Sequence, residues 1–414
     1  MTKKTEAYDV IVIGGGSAGL TAAIYTGRAR LKTIVLEQQL CGGLATYTHE
    51  IENYPGFPEG ATGTDLMKLF ERQAKRFGVK VKLSQVTSAD LTAETKTVET
   101  YRVTYEAPVV ILATGGKPRL TGAKNEEDFL FDKGISFCAT CDAAYYTDKE
   151  VLVIGSGDAA IEEAMFLTKF ATRVHISVIH DEGIVDANKV AQEKAFKNPK
   201  LNFIWNTMVD EYQGEERLET VVLKNLKTGA RLPVEVDGCF LFIGYLPQTQ
   251  IFEGSVEMND RGYIATNEDM ETNLPGVFAC GDVRVKTLRQ VATAVGDAAI
   301  AGFMAERYID DKEFFEEDIL QKERPGLVYC WDPTSADSRE FMGTVEEFVK
   351  AVADRVKFSR VDFYKNARMA QRLGISSAPA VAILLDGQVQ KVVEGVMEPD
   401  ELKDVVEATI KTTA

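Results

Sequence analysis

Cysteine is scarce in this chain, with six in 414 residues. That is too few for a disulfide scaffold, and only Cys138 and Cys141 are spaced as a pair. Cys41, Cys239, Cys280 and Cys330 stand alone, and isolated cysteines are expected to be small buried hydrophobes. Histidine is scarcer still, three in all and scattered. With no second Cys/His pair at zinc spacing, no metal is expected at the Cys-x-x-Cys. Basic charge is also short: 47 Lys and Arg stand against 63 Asp and Glu, a net −16. This disfavours nucleic acid as a partner, since phosphate neutralisation needs clustered cations. It disfavours an anionic membrane surface for the same reason. No apolar run has transmembrane length. The polar residues from Met1 lead directly into a strand, so no signal peptide is expected. These absences point to the reducing cytoplasm, where a Cys-x-x-Cys is more often catalytic than structural.

What is present begins with length. A chain of 414 residues suggests two to three domains, each able to bury its own core. Residues 8–13 form a continuous apolar strand that runs into Gly14-Gly15-Gly16-Ser17-Ala18-Gly19. A helix over 17–28 follows, then a strand over 33–36 that ends at Glu37. The glycines permit a tight turn and close backbone approach to a pyrophosphate at a helix N-terminus. Glu37 stands where a ribose hydroxyl needs an acceptor. Strand, glycines, helix, strand and acid in register make this a strong dinucleotide fingerprint. A second one follows: a strand over 151–154, then Gly155-Ser156-Gly157-Asp158-Ala159-Ala160, then a helix over 161–170. Ahead of it lies Cys138-Ala139-Thr140-Cys141-Asp142, a potential dithiol with a carboxylate beside it. Two nucleotide turns and one dithiol suggest an electron relay.

Between these, the spacing predicts a helix over 64–77 and short antiparallel strands over 80–105. A buried strand over 109–113 ends in Thr114-Gly115-Gly116. After the second fingerprint, strands are expected over 201–205, 220–223, 238–242 and 277–280. The last leads to Gly281-Asp282, and Arg289-Gln290 opens a helix running to about residue 308. The acidic run of Asp310, Asp311, Glu313, Glu316, Glu317 and Asp318 reads as a solvated linker. Residues 327–414 then read as a compact unit of their own.

The first 310 residues resemble the low-molecular-weight, bacterial-type thioredoxin reductases. The resemblance rests on both glycine turns, Glu52-Asn53-Tyr54-Pro55-Gly56, Ala113-Thr114-Gly115, Cys138-Ala139-Thr140-Cys141-Asp142, Ile243-Gly244-Tyr245 with Pro247, and Gly281-Asp282-Val283 with Arg289-Gln290. Residues 327–414 resemble a thioredoxin fold, with a cis proline expected at Ala378-Pro379. The resemblance implies an α/β protein with two Rossmann-like domains, the second inserted in the first. The expected layout is an FAD-binding domain in two segments, 1–117 and 247–310, with the nicotinamide and dithiol domain at 118–246. A linker over 311–326 and the thioredoxin-like unit follow. Gly- and Pro-rich crossings near 116–118 and 244–247 could act as a hinge pair.

The resemblance further implies that FAD is held by Gly14, Gly16, Ser17, Ala18, Gly19, Glu37, Gly43, Asn53, Thr114, Gly115, Gly281, Asp282, Arg289 and Gln290. Gly155, Gly157, Asp158 and Ala160 would hold the nicotinamide nucleotide. Cys141 would face the flavin, Cys138 would attack the partner's disulfide, and Asp142 would shuttle a proton. Asp282 would bind the flavin ribityl chain. The partner would be thioredoxin or a thioredoxin-like protein, and the enzyme a homodimer.

Two departures bear on function. NADPH-using members carry arginines after the second fingerprint's strand to hold the 2′-phosphate. Here the stretch is Val178-Ile179-His180-Asp181-Glu182-Gly183-Ile184, with two acids and no arginine. NADH is therefore expected over NADPH. The alternatives are a ferredoxin-fed thioredoxin reductase with a vestigial nicotinamide site, and a flavin-dependent dithiol oxidase. In the C-terminal unit, Ser335 and Ser338 stand where a thioredoxin has its redox cysteines. A hydroxyl cannot exchange disulfides, so this unit is not an electron acceptor.

Overall fold

The computed structural model describes residues 3–47, 51, 53–130 and 132–411; Glu52 of the motif named above lies outside them. The chain divides into two compact units, residues up to Glu306 and residues from Arg307 onward.

The first unit is built on two parallel sheets. One has the strand order Val277–Ala279, Val109–Leu112, Val10–Ile13, Thr33–Glu37, Lys80–Leu83. The two central strands are buried throughout, as continuous apolar runs are when both faces of a parallel sheet are covered. The strand Val277–Ala279 comes from the far side of the inserted sequence and completes one edge. Helix α1, Ser17–Arg28, and helix α2, Gly63–Arg76, pack together on this sheet. Helix α2 buries Leu66, Met67, Phe70 and Ala74 at helical spacing. Its start is fixed by Thr62, whose hydroxyl accepts the Asp65 amide at 3.1 Å.

Lys80–Leu83 was expected to be antiparallel, but it pairs in parallel with Thr33–Glu37 as the exposed edge of this sheet. An edge strand with one wet face alternates in polarity just as an antiparallel strand does. The antiparallel strands are Val86–Asp90, Lys96–Thr100 and Val103–Ala107, and Lys4–Ala7 joins them.

The other parallel sheet runs Ile135–Ser136, Gly238–Leu241, Glu150–Ile154, Arg173–Val178, Leu201–Trp205. A one-turn helix α3, Ala139–Asp142, packs on helix α4, Asp158–Leu167, and α4 packs in turn on α5, Lys189–Phe196. Ala139, Ala143, Ala160, Ile161 and Ala164 share one core; small side chains let α3 approach α4 closely. The two crossings between the sheets, Gly116–Pro118 and Tyr245–Pro247, form their own antiparallel ribbon with Tyr245 opposite Pro118 and Pro247 opposite Gly116.

The second unit has a four-stranded sheet ordered Lys357–Asp362, Gly326–Trp331, Ala380–Leu385, Gln388–Glu394. Helices α7, Ala336–Val352, α8, Ala367–Arg372, and α9, Pro399–Lys411, accompany it. The Ala378-Pro379 bond is cis. Ser335 caps α7 by accepting the Ser338 amide at 3.2 Å. Ser338 is fully buried; its hydroxyl accepts the Asp332 amide at 2.9 Å and lies 3.2 Å from the Tyr329 hydroxyl.

The acidic run is not a solvated linker. Helix α6, Val291–Glu313, carries through half of it, and the wider helical turns of Phe314–Ile319 continue from there. Phe315 and Ile319, four residues apart, are buried in the core of the second unit with Val328, Cys330 and Val361. Among the described residues no helix is long and apolar enough to cross a membrane.

Candidate active site

Each glycine turn follows a buried parallel strand and must reverse into a helix at once. Gly14 has φ of +107° and Gly155 of +131°. A Cβ on either would press on a carbonyl oxygen, that of Ala113 at 2.3 Å or of Phe242 at 2.5 Å, so both positions need glycine. The third residue of each turn is free of such pressure. A Cβ on Gly16 would meet nothing nearer than 3.9 Å, and one on Gly157 nothing within 4 Å. Gly16 and Gly157 are also the N-caps of α1 and α4, and neither supplies a side chain to the first amides. Two open backbone approaches to uncapped helix starts suit the pyrophosphates of two dinucleotides. Ser17, Ala18 and Gly19 form the first turn of α1, and Asp158 and Ala160 that of α4.

Around the first turn the fold gathers most of the expected flavin set. Glu37 Oε2 accepts the Gly15 amide at 2.7 Å and Oε1 the Gln39 amide at 2.9 Å, which holds the turn against the end of its strand. The Gly42 amide donates to the Gly15 carbonyl at 2.9 Å, bringing Gly43 beside Gly16. Asn53 donates to the side chain of Gln290 at 3.1 Å. The Thr114 hydroxyl donates to the Gln248 carbonyl at 2.6 Å, and the Gln248 amide to the Gly115 carbonyl at 3.0 Å, tying one crossing to the other. The Gly281 amide donates to Asp297 at 3.2 Å. Asp297 is itself paired with Arg284 at 3.2 Å and Lys286 at 2.7 Å.

Asp282 tests the fit of a flavin. Its Oδ1 is buried and has no hydrogen-bond partner, and burial pushes its carboxyl up to about 6. A buried acceptor of this kind calls for a donor, and the hydroxylated chain of a flavin supplies one. Arg289 donates to the Asp282 carbonyl at 3.4 Å, with its guanidinium 4.2 Å from the centre of the Tyr263 ring. The residues present fit an FAD.

Cys138 and Cys141 are joined in a disulfide across α3, with Cys138 as its N-cap. Both are half-buried, and Thr140 between them is exposed. The Ser136 hydroxyl donates to Asp142 Oδ2 at 2.6 Å and accepts the Cys138 amide at 3.1 Å, fixing the carboxylate to the strand that delivers the dithiol. The Tyr245 hydroxyl donates to the Phe137 carbonyl at 2.8 Å.

At the second glycine turn, Ser156 donates to Asp186 Oδ2 at 2.7 Å and His180 Nε2 lies 2.8 Å from the same oxygen. These contacts hold the Asp186 carboxyl below its usual range. Asp158 Oδ1 accepts the Asn188 amide at 2.6 Å and its side chain at 2.8 Å. Asp181 is ion-paired with Lys227, which lowers its carboxyl. Ser136, Asp186, Gln248 and Asp297 were missed from sequence. Gln248 directly follows Pro247 and Ser136 stands two residues before Cys138, so those two had a positional signal. Asp186 and Asp297 had none.

Residues 8–298 match the family described as pyridine nucleotide-disulphide oxidoreductase, and residues 307–408 the family described as thioredoxin. This defines the class: an oxidoreductase that combines a flavin, a nicotinamide nucleotide and a redox disulfide. The thioredoxin reductase of Peptoclostridium acidaminophilum is 47% identical over 318 residues, covering 99% of that protein and 75% of this chain. That of Listeria monocytogenes is 41% identical over 323 residues, covering 100% and 78%. The crystal structure of thioredoxin reductase from Streptococcus pyogenes superposes with a TM-score of 0.69 at 39% identity, over 98% of that chain and 73% of this one. The chain belongs to the thioredoxin reductase family, with a thioredoxin-like unit added after the part its relatives share.

Proposed function

We propose that this enzyme takes electrons from NADH and delivers them through the Cys138–Cys141 pair to thioredoxin or a thioredoxin-like protein, in the cytoplasm and as a homodimer. The observation that carries the reading is the position of the disulfide. It sits on α3, packed on the nucleotide helix α4, and is joined through Phe137 and Tyr245 to the ribbon that leads to the flavin residues. A bound flavin would accept hydride from the reduced nicotinamide and supply the electron pair that opens the disulfide.

The chain's own residues do the rest. Gly14, Gly16, Ser17, Ala18, Gly19, Glu37, Gly43, Asn53, Thr114, Gly115, Asp282, Arg289 and Gln290 hold the flavin. Asp282 receives a ribityl hydroxyl on its unpartnered oxygen, and Gly281 sets its backbone. Gly155, Gly157, Asp158 and Ala160 present the start of α4 to the nucleotide. Cys141 faces the flavin. Cys138 acts as the nucleophile on the partner's disulfide, which requires it as a thiolate. Asp142, oriented by Ser136, holds or releases the proton of the dithiol.

Residues 1–117 and 247–310 act as the flavin domain and 118–246 as the dithiol domain. They turn about the ribbon of Gly116–Pro118 and Tyr245–Pro247 so that the dithiol meets flavin and partner in turn. Exposed Ile300 and Phe303 on α6 offer an apolar face for a second copy.

The NADH preference rests on the loop after the second fingerprint's strand, which carries Asp181, Glu182 and Asp186 and has no arginine between Val178 and Asn188. Carboxylates accept from a 2′-hydroxyl and repel a phosphate. Anaerobic titration of the flavin absorbance tests this. Bleaching by NADH and not by NADPH is expected. No bleaching by either nucleotide, with reduction by ferredoxin, would overturn the reading.

A further inference from the structure

Thr140 stands between the two cysteines on α3, exposed where Cys138 and Cys141 are half-buried. Its hydroxyl oxygen lies 3.4 Å from Cys138 Sγ. A disulfide sulfur carries no hydrogen, so in this contact the hydroxyl donates and the sulfur accepts. A threonine in a helix more often donates to a carbonyl of the preceding turn. In α3 the carbonyl three residues back, that of Phe137, already accepts the Tyr245 hydroxyl at 2.8 Å. Among the described residues Cys138 Sγ is the one partner of the Thr140 hydroxyl, and no donor reaches Cys141 Sγ in the same way. The two sulfurs of the pair are therefore not equivalent.

We propose that Thr140 is a catalytic residue, whose hydroxyl holds the charge of the reduced pair on Cys138 and so fixes which sulfur attacks the partner. The inference rests on reading Cys138 as the attacking cysteine and supplies a cause for it. A disulfide sulfur is a weak acceptor and gains little from the contact. A thiolate is a charged acceptor, so the same bond becomes charge-assisted once the pair is reduced. Only Cys138 has such a donor, so its thiol gives up a proton ahead of that of Cys141. The Cys138 thiolate then bonds to one sulfur of the partner's disulfide, and the other sulfur leaves. Cys141 next bonds to Cys138 and releases the partner. The enzyme's pair ends oxidised and the partner's reduced, and the two protons of the dithiol pass by way of Asp142 and water to the partner's sulfurs.

The ionisable groups nearby do not supply this stabilisation. Asp142 stands on α3 itself. Helix α4 brings Asp158, Glu162 and Glu163, and the turn Ala143–Tyr146 that packs on α3 brings Tyr145 and Tyr146. The strand Ile135–Ser136 ahead of Cys138 has no charged side chain. None of these elements carries a lysine or an arginine. Lys149 and Arg217 lie against the ring of Tyr145, and Tyr245 reaches the Phe137 carbonyl from the ribbon. Carboxylates oppose a neighbouring thiolate, so the neutral hydroxyl of Thr140 is the donor placed within reach of Cys138.

The test uses the full chain, reduced with a phosphine that is then removed without air. Iodoacetamide labelling is followed across pH, and fragment masses assign the label to Cys138 or Cys141. In the parent the first label should fall on Cys138. Thr140→Val keeps the shape and removes the hydroxyl. The Cys138 midpoint should then rise by about one pH unit, with about threefold slower labelling below it. Thr140→Ser restores the hydroxyl and should return the midpoint to the parent value. An unchanged midpoint in Thr140→Val would overturn the proposal, as would an equal shift in Thr140→Ser, which would mark a packing effect. A first label on Cys141 in the parent would overturn it together with the reading of Cys138 as attacker. A first label on Cys138 with an unmoved midpoint would overturn the Thr140 role and leave that reading standing. The chemical reductant keeps both results separate from the electron route: a dithiol that NADH cannot reduce would sink the proposed donor and leave the Thr140 measurement readable.

Discussion

The hydroxyl of Tyr245 donates to the carbonyl of Phe137 at 2.8 Å, linking the ribbon between the two parallel sheets to the residue just before Cys138. Both residues belong to 118–246, so the bond anchors the dithiol strand to its own hinge and weighs on how freely that domain turns. Tyr245→Phe removes a hydrogen bond with a net worth of about 1 kcal/mol, a shift of about fivefold in population. The rate at which oxidised thioredoxin is reduced by the pre-reduced enzyme should rise by up to that factor. A rate equal to the parent's in stopped flow would show that the bond does not gate exposure.

The nucleotide loop gives a second prediction. Asp181→Arg with Glu182→Arg places two guanidinium groups where the loop now has two carboxylates, and releases Lys227 from its ion pair. The ratio of kcat/KM for NADPH over NADH should rise by about a hundredfold, the scale of a charge-assisted pair gained and a repulsion lost. Steady-state kinetics with both nucleotides measure it.

Asp282 predicts a pH dependence of the flavin-free protein. Its carboxyl is raised from 3.8 to about 6 by burial, so the folded state binds the proton more tightly than the unfolded chain does. Its contribution to stability is complete below about pH 4 and is lost as pH rises through about 6. The thermal midpoint of the apoprotein should fall over that window, and Asp282→Asn should abolish this part of the fall. At pH 7.5 the variant apoprotein should be the more stable by about 3 kcal/mol, while losing flavin more readily on dilution. Calorimetry of the two apoproteins and flavin fluorescence of the filtrates decide it.

The thioredoxin-like unit should tolerate loss of its serines in catalysis but not in stability. Ser335→Ala removes the cap of α7 and should cost about 1 kcal/mol. Ser338→Ala removes the acceptor of the half-buried Asp332 amide and should cost about 1 kcal/mol. Denaturant titration should show both losses. Thioredoxin reduction should stay at the parent rate, since neither residue exchanges electrons.

Both glycine turns, the dithiol and the serine replacements were legible because each is a local pattern whose physics needs only a few consecutive residues. The pairs Asn53 with Gln290, Ser156 with Asp186 and Gly281 with Asp297 were not. Strand order brings their partners together, and no short-range pattern encodes that. The acidic run misled for a different reason: its charges outnumbered Phe315 and Ile319, whose spacing of four is the helical signal that seats them in a core. Lys80–Leu83 misled because alternation reports a half-wet strand, not its direction.

Ser335 and Ser338 are more than cysteines with oxygen in place of sulfur. The Ser335 oxygen accepts the Ser338 amide and caps α7, while the Ser338 oxygen accepts the Asp332 amide and ties the helix to the end of the strand before it. Sulfur is a weaker acceptor and a longer atom. Restoring one cysteine would loosen the helix start without yielding a disulfide, and only a simultaneous double change could restore redox chemistry. The oxygens have made the loss of chemistry self-reinforcing: the unit is held in its inactive form by the bonds that keep it folded.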